Sequence, residues 1–130
     1  MYKLTIESHF DAAHALRGYK GRCENTHGHR FRVVAHFATQ RLDNIGLGYD
    51  FTELKKALNA VLTRFDHTDL SLTPPFDTIN PSSENLAATI FSLLVGATKD
   101  FPIRLSSVEV WESPDAGVEY YPDHEPFKTV

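Results

Sequence analysis

The chain has 130 residues, 42% apolar and 23% charged, with a formal net charge of -4 and a single cysteine. That length fits one domain spanning residues 1–130 with a real core, and the composition is too apolar for a disordered chain. The acidic balance argues against general nucleic-acid binding, and no apolar run approaches membrane-spanning length. Lys3, Glu7, His9 and Asp11 interrupt the first residues, so a secretion signal is not expected. One cysteine cannot form an internal disulfide, which fits a reducing, cytoplasmic location.

Tyr2, Leu4, Ile6 and Ser8 alternate with Lys3, Thr5, Glu7 and His9, which predicts a half-buried first strand leading into Phe10-Asp11-Ala12-Ala13-His14. A glycine-containing loop, Arg17 to Arg22, is followed by Cys23-Glu24-Asn25-Thr26-His27-Gly28-His29, and Phe31 to Ala38 continues it as a second strand. Leu54, Ala57, Leu58, Val61, Leu62 and Phe65 recur at helical spacing behind Asp50 and Thr52, predicting a helix from Thr52 to Phe65. Thr73-Pro74-Pro75 breaks the chain. Pro81-Ser82-Ser83-Glu84 opens a second helix that places Leu86, Ile90, Leu93 and Leu94 on one face, with Gly96 marking its end. Arg104 to Ser113 and Gly117 to Tyr121 read as a final strand pair. The order ββααββ predicts an α+β fold, a four-stranded antiparallel sheet covered on one face by two helices. The other sheet face needs a partner.

Side chains alternate along a strand, so His27 and His29 project from one face and both can reach one metal ion, with Gly28 keeping the opposite face open. Zinc accepts neutral imidazole, and a catalytic zinc usually has three protein ligands, for which His14 is the third candidate. His9, His36 and His124 are read as hydrogen-bonded or surface residues. Cys23 has three readings: a fourth ligand closing a structural site, a small core residue, or a reactive thiolate beside a metal. Asp66 and His67 follow the first helix, and adjacent residues do not pair on a regular helix. They matter as a pair only if the turn is irregular or the partner lies elsewhere. Glu112, on a strand rich in Val and Trp, is read first as a carboxylate displayed to water, and Glu24 as a solvated loop carboxylate.

Phe10 to His14 fits F-x-A-A-H and Cys23 to His29 fits C-x-x-x-H-G-H, in that order, which resembles the 6-pyruvoyltetrahydropterin synthase and 6-carboxytetrahydropterin synthase family. The likeness continues through Asp50-Phe51, Phe65-Asp66-His67-Thr68-Asp69-Leu70, Asn80-Pro81-Ser82-Ser83-Glu84-Asn85-Leu86 and Val110-Trp111-Glu112-Ser113. It departs at Ser71, where the family usually has Asn. The resemblance implies the tunnelling fold, in which sheets from three subunits close into a barrel and two trimers stack into a homohexamer. It implies Zn2+ on His14, His27 and His29, Cys23 as the base that removes a substrate proton, and Asp66 with His67 as a proton relay. It makes Glu112 the pterin anchor, with Ser82 or Ser83 near the ring and Arg17, Lys20, Arg22 and Arg30 available to a triphosphate. Glu24, directly after Cys23, resembles the C-E-x-x-H-G-H class of combined character, where a glutamate supports side-chain cleavage to a hydroxymethyl pterin.

The activity so implied converts 7,8-dihydroneopterin triphosphate to 6-carboxytetrahydropterin, acetaldehyde and triphosphate, an early reaction of 7-deazaguanine and queuosine synthesis. Three alternatives stand beside it: 6-pyruvoyltetrahydropterin synthesis, dihydroneopterin cleavage for folate, and a non-catalytic zinc-stabilised binding domain in which Cys23 completes the coordination shell.

Overall fold

In the computed structural model, which describes residues 1–18 and 25–122, the N-terminal alternation becomes β1 (Tyr2–His14). It pairs antiparallel with β2 (His27–Thr39) without interruption, from Tyr2 opposite Thr39 to His14 opposite His27. Leu4, Ile6, Phe10, Ala12 and His14 are buried while their odd-numbered neighbours reach solvent, as a period of two requires. β2 pairs in turn with β4 (Arg104–Ser113), and β4 with β5 (Ala116–Tyr120), both antiparallel. Thr68–Asp69 adds a short parallel strand, β3, beside Ala12 and Ala13, giving the sheet order β3-β1-β2-β4-β5. The predicted four-stranded antiparallel sheet is thus a five-stranded mixed one. A two-residue strand carries no alternation for a sequence to display.

Helix α1 (Phe51–Leu62) starts where the Asp50 carboxylate accepts from the Thr52 N–H at 2.8 Å. It stops short of the predicted Phe65 because the N–H groups of Arg64 and Phe65 bond carbonyls three residues back, at Val61 and Leu62. Tightening of the last turn still delivers Phe65 to the core, fully buried. Helix α2 (Ser83–Ala97) begins at Ser82, whose hydroxyl accepts from the Asn85 N–H at 3.1 Å. Gly96 lies inside it. The end is set by Thr98, whose N–H and hydroxyl both donate to the Leu94 carbonyl, at 2.9 and 2.7 Å.

Both helices lie on one sheet face. Leu54, Leu58, Phe65, Phe76, Leu86, Ile90 and Leu94 meet Phe10, Phe31, Val33, Phe37, Val108 and Val110 in a continuous apolar cluster. Burying each such side chain stabilises by about 1.5–3 kcal/mol. The other face is polar. His36 Nε2 bonds Glu109, its Nδ1 is 2.9 Å from the Thr5 hydroxyl, and the Trp111 indole N–H donates to Glu109 at 2.8 Å. Burial pushes the Glu109 carboxyl up, but hydrogen bonds from His36 and Trp111 prevail and hold it below its ordinary range. His36 is therefore hydrogen-bonded, in keeping with the sequence reading. Among the described residues no helix is long and apolar enough to cross a membrane.

Trp111 lies flat against Gly117 of the neighbouring strand: a Cβ at Gly117 would come 2.3 Å from Trp111 Cδ2. Arg32 covers the same indole, 5.2 Å from its centroid. Gly117→Ala is expected to cost about 1–3 kcal/mol through overpacking, read as a lower urea midpoint with unchanged slope. An unshifted midpoint would show that the indole moves aside freely.

Candidate active site

The antiparallel register ends with His14 opposite His27, and Ala12 faces His29 two pairs earlier. Strand alternation turns all three imidazoles to the helix side, where their ring centroids are 4.5–5.0 Å apart. One nitrogen from each ring falls within 4.8 Å of the other two. Phe31 forms the floor, with edge contacts at 5.2 Å to His14 and 5.6 Å to His29.

Two of the rings are held from behind. His14 Nδ1 is 2.8 Å from the Pro81 carbonyl and His27 Nδ1 is 2.7 Å from the Asn25 carbonyl. A carbonyl only accepts, so in both rings Nδ1 carries a proton and donates. The Nε2 atoms of His14 and His29 are buried and have no hydrogen-bond partner among the described residues. An orphaned buried polar atom costs about 1–3 kcal/mol. Burial first, then the neighbouring His14 and His27 rings, keep the His29 imidazole below its ordinary titration range, with Glu112 opposing. Imidazoles whose nitrogens converge on one point are the donor set of a borderline divalent ion, and the residues fit one.

Glu112 reaches the same point from β4, its Oε2 3.5 Å from His29 Nε2 and 3.8 Å from His14 Nε2. On its other side it borders a cleft of about 550 Å3 that is also lined by Arg30, Arg32, Trp111, Ser113 and Pro114, within the range of small-ligand sites. Among the serines, Ser82 spends its hydroxyl on capping α2. Ser83 Oγ is buried and unpartnered.

Asp66 and His67 form a pair after all. His67 adopts φ 59°, so the turn is irregular, and its Nδ1 lies 3.0 Å from Asp66 Oδ2. Asp66 Oδ1 also accepts the Asp11 N–H at 2.9 Å. That backbone donor, aided by His67 and opposed by burial, lowers the Asp66 carboxyl below its usual range. The pair clusters with the Asp11 carboxylate, which leaves β1 on the face opposite His14 and, at three residues' remove, about 10 Å along the strand. One chain therefore does not bring Asp66 and His67 to the three histidines.

Cys23 and Glu24 lie outside the described residues, as do Lys20, Arg22 and His124. Of the other basic residues expected near a triphosphate, Arg17 donates to the Phe76 and Ile79 carbonyls at 2.9 and 2.6 Å, and Arg30 pairs with Asp11 at 3.2 Å. The sequence reading missed the Pro81 carbonyl behind His14 because a backbone acceptor leaves no mark in residue identity.

The profile of the family described as 6-pyruvoyl tetrahydropterin synthase matches residues 3–123. The chain is 33% identical over 126 residues to the 6-carboxy-5,6,7,8-tetrahydropterin synthase of Synechocystis sp., covering 93% of this chain and 94% of that one. It is 31% identical over 121 residues to the dihydroneopterin monophosphate aldolase of Pyrococcus furiosus, covering 90% and 95%. The solved structure of Caenorhabditis elegans 6-pyruvoyl tetrahydropterin synthase superposes with a TM-score of 0.79 at 28% identity, covering 93% and 96%. With the fold, the length of the match and the histidine cluster in agreement, this chain belongs to the 6-pyruvoyl tetrahydropterin synthase family.

Proposed function

We propose that this chain is a zinc-dependent 6-carboxytetrahydropterin synthase, converting 7,8-dihydroneopterin triphosphate to 6-carboxytetrahydropterin, acetaldehyde and triphosphate in the cytoplasm, as an early step toward 7-deazaguanines and queuosine. The observation that carries it is the convergence of His14, His27 and His29, two with orphaned buried Nε2 atoms, beside Glu112 at the mouth of a cleft. Likeness to a 6-carboxytetrahydropterin synthase over nearly the whole chain supports this choice of chemistry.

His14, His27 and His29 would hold the ion, which when bound supplies Lewis acidity toward the hydroxylated side chain of the substrate. The Glu112 carboxylate accepts the ring N–H and exocyclic amine of the pterin as a bidentate pair. Ser83, its hydroxyl unpartnered two residues from Pro81, donates to the same ring. Arg30 and Arg32 leave β2 on the face opposite the histidines, Arg30 already paired with Asp11, and line the cleft where they are available to phosphate charge. Cys23 removes a side-chain proton as a thiolate. Asp66 and His67 relay protons from a second copy of the chain, since their own histidine cluster faces away from them. That requirement agrees with a homohexamer built from trimers.

Incubating zinc-loaded protein with dihydroneopterin triphosphate and identifying the pterin by mass spectrometry tests the product. His27→Ala and His29→Ala should each lose zinc and activity together, from about one zinc per chain in the wild type. Cys23→Ala should keep zinc and lose product. Metal loss in that variant would instead indicate a closed site with Cys23 as the fourth ligand, the mark of a non-catalytic domain.

Asp66→Asn keeps an oxygen for the Asp11 N–H and should leave fold and zinc intact while lowering turnover on the order of a hundredfold. Dissociating and remixing Asp66→Asn with His27→Ala subunits should restore activity that neither has alone. Mixtures as inactive as their parents would place the relay within one chain.

A second reading is favoured by the likeness to a dihydroneopterin monophosphate aldolase. If Glu24 serves as a second acid-base group, wild-type protein forms some 6-hydroxymethyl-dihydropterin, Cys23→Ala retains that reaction, and Glu24→Ala depresses it on the order of a hundredfold. An unchanged rate in Glu24→Ala would return Glu24 to the solvated loop.

A further inference from the structure

Arg17 and Asn80 are joined by a closed set of hydrogen bonds across 63 residues of sequence. Asn80 Oδ1 accepts the Arg17 N–H at 2.9 Å and Asn80 Nδ2 donates to the Arg17 carbonyl at 2.8 Å, so one amide side chain meets both backbone groups of residue 17. The Arg17 guanidinium closes the loop from the other end, donating through Nη2 to the Phe76 and Ile79 carbonyls. Asn85, in the first turn of α2, donates to the Asn80 carbonyl at 2.9 Å. The next residue after Asn80 is Pro81, whose carbonyl holds His14 Nδ1. The residue after that is the helix cap Ser82. The acceptor that fixes the His14 ring is therefore suspended between a capped helix and a clasped loop.

We infer that Asn80 and Arg17 are positioning residues of the histidine centre: they hold the Pro81 carbonyl where it keeps His14 in the Nδ1–H form with Nε2 aimed at the metal position. Three features converge on this. His14 is the most deeply buried of the three ligands and so depends most on a protein acceptor. Pro81 donates no hydrogen bond of its own, so its position rests on its neighbours. Neither Arg17 nor Asn80 touches a histidine, so the effect passes through the loop alone. Outer partners of a ligating histidine fix tautomer and ring angle, and losing one typically costs 10- to 100-fold in metal affinity.

The inference rests on the metal reading of the site, and the experiment separates the two. Zinc affinity of the full-length protein is measured by chelator competition, alongside the thermal midpoint of the metal-free form. Asn80→Ala should weaken zinc about tenfold or more. Thr98→Ala, which removes a cap hydroxyl at the far end of α2, should lower the midpoint comparably and leave affinity within about twofold of wild type. Arg17→Ala should behave like Asn80→Ala, and Arg17→Lys should recover part of the affinity because an ammonium still donates to carbonyls. These Arg17 variants decide the matter if Asn80→Ala does not fold. Nitrogen NMR of the metal-free protein supplies a readout independent of any ion: His14 should be the Nδ1–H tautomer in the wild type and a mixture in Asn80→Ala. A wild type that binds no zinc would end the metal reading. Zinc affinity in Asn80→Ala no weaker than in Thr98→Ala, or an unchanged His14 tautomer, would end the positioning role.

Discussion

The uninterrupted antiparallel pairing of β1 with β2 is the constraint on which the rest depends. A slip of β1 by one residue against β2 would turn its side chains to the opposite face, sending Phe10 to solvent and His14 away from His27 and His29. The core forbids it. Phe10 sits opposite Phe31 with rings stacked at 5.0 Å, Leu4 opposite Phe37 and Ile6 opposite Ala35, all against the helices. At about 1.5–3 kcal/mol for each large buried side chain, the penalty for a slipped register far exceeds any preference the histidines express. The apolar pattern therefore sets the distance between His14 and His27, which contribute no apolar burial of their own.

Burying imidazoles works against stability unless something answers their nitrogens. Backbone carbonyls answer Nδ1 of His14 and His27 from two different loops, one leading into β2 and one leading into α2. Among the described residues no hydrogen bond answers Nε2 of His14 and His29, though Glu112 stands 3.5–3.8 Å away. A fold that satisfies one nitrogen and strands the other has fixed the direction in which a ligand must arrive. Glu112, 3.5 Å from His29 Nε2, is the carboxylate that borders this point among the described residues.

Much of this was legible in the residues. Alternation from Tyr2 to His9 marked β1, which runs on through the Phe10–His14 motif, helical spacing gave the buried faces of α1 and α2, and the H-G-H spacing placed two rings on one side of β2. Helix ends were read less well: α1 closes with a tight turn rather than running to Phe65, and α2 passes Gly96 to be stopped by Thr98 bonding back to Leu94. β3 was invisible because its two residues pair with β1 through backbone alone. The supports of the site were equally hidden. The Pro81 carbonyl, the Asn80 amide on the Arg17 backbone and the left-handed turn at His67 arise from positions in space that residue identity does not encode. The polar network of His36, Glu109 and Trp111 likewise comes from cross-strand register, with Val34 opposite Glu109 and Arg32 opposite Trp111.

The turn at His67 shows how a local cost is tied to a longer-range purpose. A non-glycine residue at positive φ is disfavoured, by roughly 1–2 kcal/mol for the left-handed region. Here the surroundings impose it: the His67 N–H donates to the Asp11 carbonyl at 2.6 Å, and the Asp11 N–H donates to Asp66 Oδ1. Asp66 and His67 thus complete the edge of β1 before β3 begins, and the strain is offset by two hydrogen bonds that seat the connection after α1. The result is an acid-base pair fixed to the sheet edge with its imidazole 78% exposed. Within one chain that pair stands with Asp11 and apart from the histidine cluster. An interface that sets this edge against the histidine cluster of another copy would bring the two together, and the same closure would cover the backbone edge that a five-stranded open sheet otherwise leaves to solvent.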